Sequence, residues 1–256
     1  MTDKELVRKR FCGAAEHYDT EALVQKNMAE RLALLVRELV PVERVRRVLE
    51  IGCGTGFLTR AINGVVFPEK LYLNDICPEF KELFADMPAA EFIPGDAESV
   101  DFPANLDLVL SGSAIQWFDD PGRFFAKCRD SLVPGGFLAF STFAPGNFME
   151  IAEITGVSLH YPSLEQLGTM LKPDFRLLCA EETAAVLRFT SAADVLRHLK
   201  MTGVNGISRR PWTRKDYSAF CTSYSERFAD ADGCPLTYRP VFVVAVRRYR
   251  EDASGM

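Results

Sequence analysis

A strand that runs directly into three closely spaced glycines limits this chain more than any other feature. In "VLEIGCGTGFLT" (residues 48–59) an apolar run ends at Ile51, Gly52, Gly54 and Gly56 alternate with other residues, and Leu58 opens a helical pattern. Glycine reaches left-handed backbone conformations without a side-chain clash and lets a ligand approach the main chain. Strand, glycine turn and helix in that order describe an α/β unit of the nucleotide-binding kind. The alternation continues downstream. "KLYLND" (70–75), "EFIPGD" (91–96), "LDLVLS" (106–111) and "FLAFSTF" (137–143) read as further strands, with helices predicted from Pro78 and from Pro121 between them.

Beyond residue 143 the rhythm loosens. "FRLLCAEE" (175–182) reads as a sixth strand and the valine-rich "PVFVVAVRR" (240–248) as the last. Capping pairs Ser163–Gln166, Ser191–Asp194 and Thr213–Asp216 mark three helix starts. A helix over Thr20–Val40, ended by Pro41, precedes the first strand. These elements divide the chain into N-terminal helices (1–44), a core (45–182), a helical insertion between the last two strands (183–237), and a final strand with its tail (238–256).

Composition excludes several classes. A net charge of −5 speaks against a general affinity for nucleic acid, which requires excess cations against phosphate. No apolar run reaches membrane-span length, and the charged N-terminus lacks a signal-peptide core. Seven cysteines form no CxxC pair, so a reduced, cytoplasmic protein with no membrane association is expected.

The loop is not a P-loop, since no Gly-Lys-Ser/Thr follows, and its G-x-G-x-G spacing differs from the dinucleotide fingerprint. Asp75 ends the second strand where an acid accepts from both ribose hydroxyls. Asp96, in "GDAE" after the third strand, is placed to accept from an adenine amino group. An adenosine site without a pyrophosphate, beside a loop for a small zwitterionic tail, fits S-adenosylmethionine. Glu50, Gly52, Cys53, Gly54, Gly56, Asp75, Ile76, Asp96, Ala97 and Ser111 form the candidate donor site. "LEIGCGTG" and the order of elements over 45–182 resemble the class I methyltransferases. That resemblance implies a Rossmann-like, seven-stranded, mostly parallel sheet with its last strand antiparallel, and S-adenosylhomocysteine as product. No metal is expected.

The fourth strand leads into "SGSAIQWFDDP" (111–121), which lacks the Asn-Pro-Pro-Tyr type of stretch that holds an amino nitrogen. It also offers no evident proton acceptor, so an acceptor that is already ionised, such as a carboxylate, is favoured. Gln116 and Trp117 are candidate pocket residues. From Val195 to Lys215 the chain carries six Lys or Arg (Arg197, Lys200, Arg209, Arg210, Arg214, Lys215) and no acid. Such a run suits an anionic acceptor or an acidic partner; a solvated charged face would account for it equally simply.

"FCGAAEHYDTEALVQKNMAERL", "SGSAIQWFDD", "FSTFAPGNFMEI", "VLRHLKMTGVNG", "WTRKDY" and "LTYRP", in that order, resemble the malonyl-acyl-carrier-protein O-methyltransferases of biotin synthesis over nearly the whole chain. The resemblance implies esterification of the free carboxylate of a malonyl thioester, on an acidic acyl-carrier protein or on coenzyme A. It implies that Tyr18 closes over the donor; Gln116, after the fourth strand, and Lys200, on the basic helix expected to face the pocket, are the further candidates at the reacting groups. Arg197 and Asn205 are expected to join Gln116, Trp117 and Lys200 around the acceptor, while Arg209, Arg210, Arg214 and Lys215 dock the carrier. A methyltransferase of a free small diacid, or a non-catalytic donor-binding regulator, are the alternatives.

Overall fold

A computed structural model describes residues 3–203 and 212–249, leaving aside the side chain of residue 16. The main sheet comprises β1 (Arg47–Ile51), β2 (Lys70–Asp75), β3 (Ala90–Pro94), β4 (Leu106–Gly112), β5 (Leu132–Phe143), β6 (Phe175–Glu182) and β9 (Pro240–Arg247), ordered β3-β2-β1-β4-β5-β9-β6. Strands β1 to β5 pair in parallel, and β9 lies antiparallel between β5 and β6. Central strands read as near-continuous apolar runs because helices cover both faces: Leu49, Leu108, Leu138, Phe140 and Val244 are fully buried. The expected seven-stranded sheet with one antiparallel strand is therefore present.

Register places the site. Ile51 pairs with Asn74 on one side and Ser111 on the other, and Asp75 pairs with Pro94. The carboxyl ends of β1, β2, β3 and β4 thus stop at one edge, where the connecting loops form a crevice. Gly52, Gly54 and Gly56 turn the chain there at φ of 67°, 53° and 97°. Only glycine holds such angles at three alternate positions without strain.

The helix read over Thr20–Val40 is present, and a second one precedes it. α1 (Lys4–Glu21) and α2 (Leu23–Leu39) meet at Ala22, whose φ/ψ of −87°/48° breaks the helix without proline or glycine. Ala22 is fully buried, so tertiary packing rather than local propensity sets this bend. α2 packs on the sheet through Met28, Leu32 and Val36, whereas α1 crosses the carboxyl edge. α3 (Phe57–Ile62) follows the glycine loop, the segment Pro78–Phe84 forms 3-10 turns, α4 (Pro121–Ser131) follows β4, and β5 begins earlier than expected, running through Pro134-Gly135-Gly136. α5 (Met149–Thr155) was not foreseen, and α6 (Leu164–Leu171) starts at the Ser163–Gln166 capping box.

Between β6 and β9 lies the insertion. β7 (Ala185–Phe189) and β8 (Cys234–Tyr238) pair antiparallel outside the main sheet, bracketing α7 (Ala192–Met201) and α8 (Arg214–Phe228). These two short strands escape the sequence because an apolar residue, Val186, faces outward from β7 and Pro235 stands inside β8. The expectation of wholly reduced cysteines is also corrected: Cys12 and Cys77 form a disulfide, with Cα atoms 5.9 Å apart. Sixty-five residues separate them in sequence, and only the placement of α1 over the β2 end brings them together.

Asn74 is the buried polar residue that shapes this edge. Its Nδ2 donates to the carbonyls of Ile93 (2.8 Å) and Gly95 (2.9 Å), tying the turn before Asp96 to β2. Asn74→Leu keeps the volume and leaves both carbonyls short of a donor. It should cost about 2–4 kcal/mol, read as a lowered denaturation midpoint with an unchanged m-value.

Candidate active site

A cavity of about 1020 Å³ occupies the carboxyl edge. Its floor is the Gly52–Thr55 loop, its walls are Asp75, Ile76, Asp96 and Ala97, and its far side is Gly112, Ser113 and Trp117. α1 roofs it with Lys4, Val7, Phe11, Ala15 and Tyr18, which follow one another at three- or four-residue steps and so share one helix face. The roof is tied down at its start, where Lys4 Nζ meets Glu98 Oε2 at 2.5 Å and Asp96 Oδ1 at 3.5 Å. At its end Tyr18 lies near Phe57, with ring centroids 5.7 Å apart.

Asp75 organises the loop. Its Oδ2 accepts from Gly54 N–H and its Oδ1 from Cys77 N–H, both at 2.8 Å. Burial pushes its carboxyl up to about 6 even so. Glu50, almost wholly inaccessible on β1, is pushed up to about 8 by burial, with the nearby Asp75 adding to it. Glu50 Oε2 and Thr55 Oγ1 are buried without hydrogen-bond partners, beside a loop where a Cβ at Gly54 would meet no protein atom within 4 Å. Unpartnered buried oxygens and open space at the glycine backbone fit a cationic, polar ligand tail. The predicted donor residues Tyr18, Glu50, Gly52, Cys53, Gly54, Asp75, Ile76, Asp96 and Ala97 all line this cavity.

Two of the set do not. Ser111 is fully buried and donates its hydroxyl to Ile51 O at 3.2 Å, so it joins β4 to β1 instead of facing the cavity. Gly56 lies one step behind the lining residues at the N-cap of the following helix. Among the described residues, no cluster of His, Cys, Asp or Glu is placed to hold a metal. No described helix is long and apolar enough to cross a membrane.

A smaller chamber of about 330 Å³ adjoins the cavity through shared residues Phe11, Tyr18, Gln25, Ser113 and Trp117. Gln116 lines it, with Nε2 donating to Ser113 O at 2.6 Å and Oε1 accepting from Thr142 at 3.2 Å. Tyr161, Asn147 and Thr202 close it, and no charged side chain is among its described lining residues. Ser113 sits at φ 52°, a strained angle for a residue with a Cβ, at the junction of the two spaces. Sequence reasoning gave neither Asn147 nor Tyr161 a role, because the two meet only once the segments on either side of α5 are placed.

The insertion corrects one expectation. Lys200 is exposed and does not line either space, and Arg197 is exposed and pairs with Asp194 at 2.7 Å. α7 turns Val195, His198 and Leu199 inward instead. A helix advances about 100° per residue, which sets Lys200 roughly opposite His198. The imidazole can be buried because Nε2 meets Tyr238 Oη at 2.7 Å and burial holds its pKa below the ordinary value, against the opposing pull of Glu21, 3.7 Å from Nδ1. Arg214 and Lys215 are exposed on the first turn of α8. Asn205, Arg209 and Arg210 lie outside the described residues.

The raised carboxyls make donor binding pH-dependent. A cationic ligand favours ionised Glu50 and Asp75, so binding lowers their pKa values and expels protons. Affinity for S-adenosylmethionine should rise with pH through about 6 and again towards about 8. Calorimetry at neutral pH in buffers of different ionisation enthalpy should show release approaching about one proton per donor, which Glu50→Gln should largely remove.

Residues 49–140 match the family model described as a methyltransferase domain. Among solved structures, the chain superposes on a protein of Bacillus halodurans (TM-score 0.62, 18% identity, 85% of this chain and 99% of that one). It also superposes on the N-methyltransferase NodS of Bradyrhizobium japonicum, solved with S-adenosyl-L-homocysteine (TM-score 0.52, 14% identity, 86% and 87%). At these identities the likeness shows the fold. Closer relatives extend past it: malonyl-[acyl-carrier protein] O-methyltransferases of Bacteroides helcogenes (38% identical over 95% of this chain and 98% of the relative) and Haemophilus influenzae (37%, 95% and 94%) align through the insertion as well. That of Porphyromonas gingivalis is 40% identical over 95% and 96%. With a donor cavity built on the glycine loop and relatives matching over both full lengths, the chain belongs to the malonyl-[acyl-carrier protein] O-methyltransferase family, whose members are class I methyltransferases that use S-adenosylmethionine.

Proposed function

We propose that this protein transfers the methyl group of S-adenosylmethionine to the free carboxylate of a malonyl thioester carried on acyl-carrier protein, forming the methyl ester and S-adenosylhomocysteine. The resemblance implies a place in biotin synthesis, where the ester would mask the charge so that chain extension accepts the primer. The observation that carries this reading is the pairing of a donor cavity with an adjoining chamber free of charged lining among the described residues. The donor brings an electrophilic methyl on a sulfonium. The chain's own residues then have two tasks, to hold the acceptor in line and to strip it of water.

The loop Gly52–Thr55 and Asp75 seat the donor, with Glu50 and Asp96 beside it as further acceptors. Tyr18 and Phe11 cover the junction, excluding solvent from the reacting groups. Gln116 fixes the strained Ser113 backbone between the two spaces. Burial, with Asp75 nearby, raises the Tyr18 phenol well above its ordinary value, so it stays a neutral donor throughout neutral pH. No base is required because the acceptor is ionised before it binds.

Outside, Lys200 on α7 and Arg214 and Lys215 on α8 add positive charge to a chain of net −5. An acidic carrier would meet this face, with charge acting on association more than on chemistry. Arg209 and Arg210 stand in the same stretch of sequence.

Methyl transfer should be measured with malonyl-carrier, malonyl-coenzyme A and free dicarboxylates. Turnover on malonyl thioesters, with a rate at saturation that is flat from about pH 6 to 8, is expected of an acceptor needing no base. Turnover on free dicarboxylates alone would favour the small-diacid reading, and none at all, with tight donor binding, a regulator. Neutralising Arg214 and Lys215 together should slow association with the carrier by a few-fold at low salt and leave saturated turnover unchanged.

A further inference from the structure

The small chamber identifies how the acceptor's charge is held, on the reading that the acceptor is a carboxylate. Asn147 Nδ2 donates to Tyr161 Oη at 3.1 Å, while Asn147 Oδ1 accepts from Arg239 N–H at 3.0 Å. Both ends of the amide are committed, so its orientation is fixed and the end facing Tyr161 is the donor. A hydroxyl oxygen that accepts from Asn147 keeps its own proton to give, and no described group takes it. Burial pushes the phenol up to about 12, which keeps that proton in place at neutral pH. Trp117 Nε1–H, on the same chamber, is buried with no acceptor either.

Two buried donors left open are each costly unless a bound acceptor completes them. We propose that Tyr161 and Trp117 hold the free carboxylate of the acceptor through neutral hydrogen bonds, with Asn147 as the positioning residue behind Tyr161. The design follows from charge balance. The donor's sulfonium supplies one positive charge, and a thioester with one free carboxylate supplies one negative charge, so the two reacting groups balance each other. A lysine in the chamber would bind the ground-state carboxylate tightly and weaken its attack, because that attraction fades as charge is consumed. A free dicarboxylate would bring a second anion with no counter-charge among the described lining residues, and is disfavoured by desolvation.

The test uses protein saturated with S-adenosylhomocysteine and two small thioesters of N-acetylcysteamine. One is malonyl; the other is isovaleryl, whose branched end matches the carboxylate in shape without its charge. Tyr161→Phe should weaken malonyl binding roughly 10- to 100-fold, the loss of one charge-assisted hydrogen bond, and leave isovaleryl binding and product affinity unchanged. Asn147→Ala should weaken malonyl binding in the same selective way. Equal weakening of both thioesters would make Tyr161 a structural residue and overturn the proposal, as would no change in either. Failure of the unaltered protein to methylate any malonyl thioester would instead overturn the proposed function, a separate outcome.

A second inference stands independently on the Cys12–Cys77 bond. Cys12 belongs to the roof helix, and Cys77 follows the ribose-side acid by two residues and gives its N–H to that carboxylate. The bond therefore fastens α1 to the wall it must leave for a ligand as large as the donor to pass. We infer that it is a redox latch on donor exchange. In forming it, two thiols lose their protons and two electrons to a small-molecule disulfide such as oxidised glutathione, which is reduced to two thiols. A small dithiol reverses the step.

Stopped-flow release of S-adenosylhomocysteine from protein equilibrated with oxidised glutathione should be roughly tenfold slower than from dithiothreitol-treated protein, as expected where lid opening limits release. Cys12→Ser, a residue outside the cavity lining, should release at the reduced rate under both conditions. Equal rates in the two redox states would overturn the latch, as would an unchanged redox response in Cys12→Ser, or peptide mapping that finds no Cys12–Cys77 link in the oxidised protein.

Discussion

Everything at the donor site depends on one carboxylate accepting two backbone N–H groups. Asp75 takes Gly54 N–H with one oxygen and Cys77 N–H with the other, and so holds the glycine loop against the end of β2. Backbone donors of this kind fix geometry without adding side-chain bulk, and each oxygen keeps a lone pair for a ligand hydroxyl. The arrangement is held at a cost. The charge is nearly buried, the second acid Glu50 lies close by, and both carboxyls are driven above their ordinary range. An empty cavity of this composition is short of positive charge, which a cationic donor supplies. Affinity and selectivity for a sulfonium thus arise from the same burial that destabilises the free site.

The smaller chamber, proposed as the acceptor side, follows the opposite rule. Its lining among the described residues is neutral, and its two amides Gln116 and Asn147 are spent on other side chains and on the backbone, Gln116 on Ser113 and Thr142, Asn147 on Tyr161 and Arg239. A rigid, water-poor chamber suits a reaction in which two opposite charges annihilate, since the transition state is less charged than the bound reactants. Strong ionic contacts to the acceptor would favour the reactants more than the transition state. Positive charge is accordingly kept outside, on the exposed faces of α7 and α8, where it can act on encounter without touching the chemistry.

α1 joins the two spaces, since Phe11 and Tyr18 belong to both. Its hold on the body is partly ionic at Lys4, partly aromatic through Phe11 and Trp117, with centroids 5.4 Å apart, and partly covalent at Cys12. Behind it the buried His198–Tyr238 pair fastens the insertion to the chamber, since Tyr238 also takes a hydrogen bond from Gln25. Donor seat, roof and insertion therefore form one connected wall.

Local chemistry determined a large share of this protein. The glycine spacing, the strand-end acids Asp75 and Asp96, the alternation of strands and helices, and the capping boxes at Ser163 and Thr213 are each specified by neighbours a few residues apart. Backbone sterics and periodicity suffice to read them, and with them the fold and most of the donor site. Tertiary structure decided what depends on partners distant in sequence. Ala22 bends because α1 must cross the cavity. Cys12 finds Cys77 across 65 residues, and Asn147 and Tyr161 meet only after α5 is placed. Lys200 and His198 stand two residues apart on one helix, and which of them faces inward was settled by Tyr238, forty residues on, because burial requires a partner that no local pattern records.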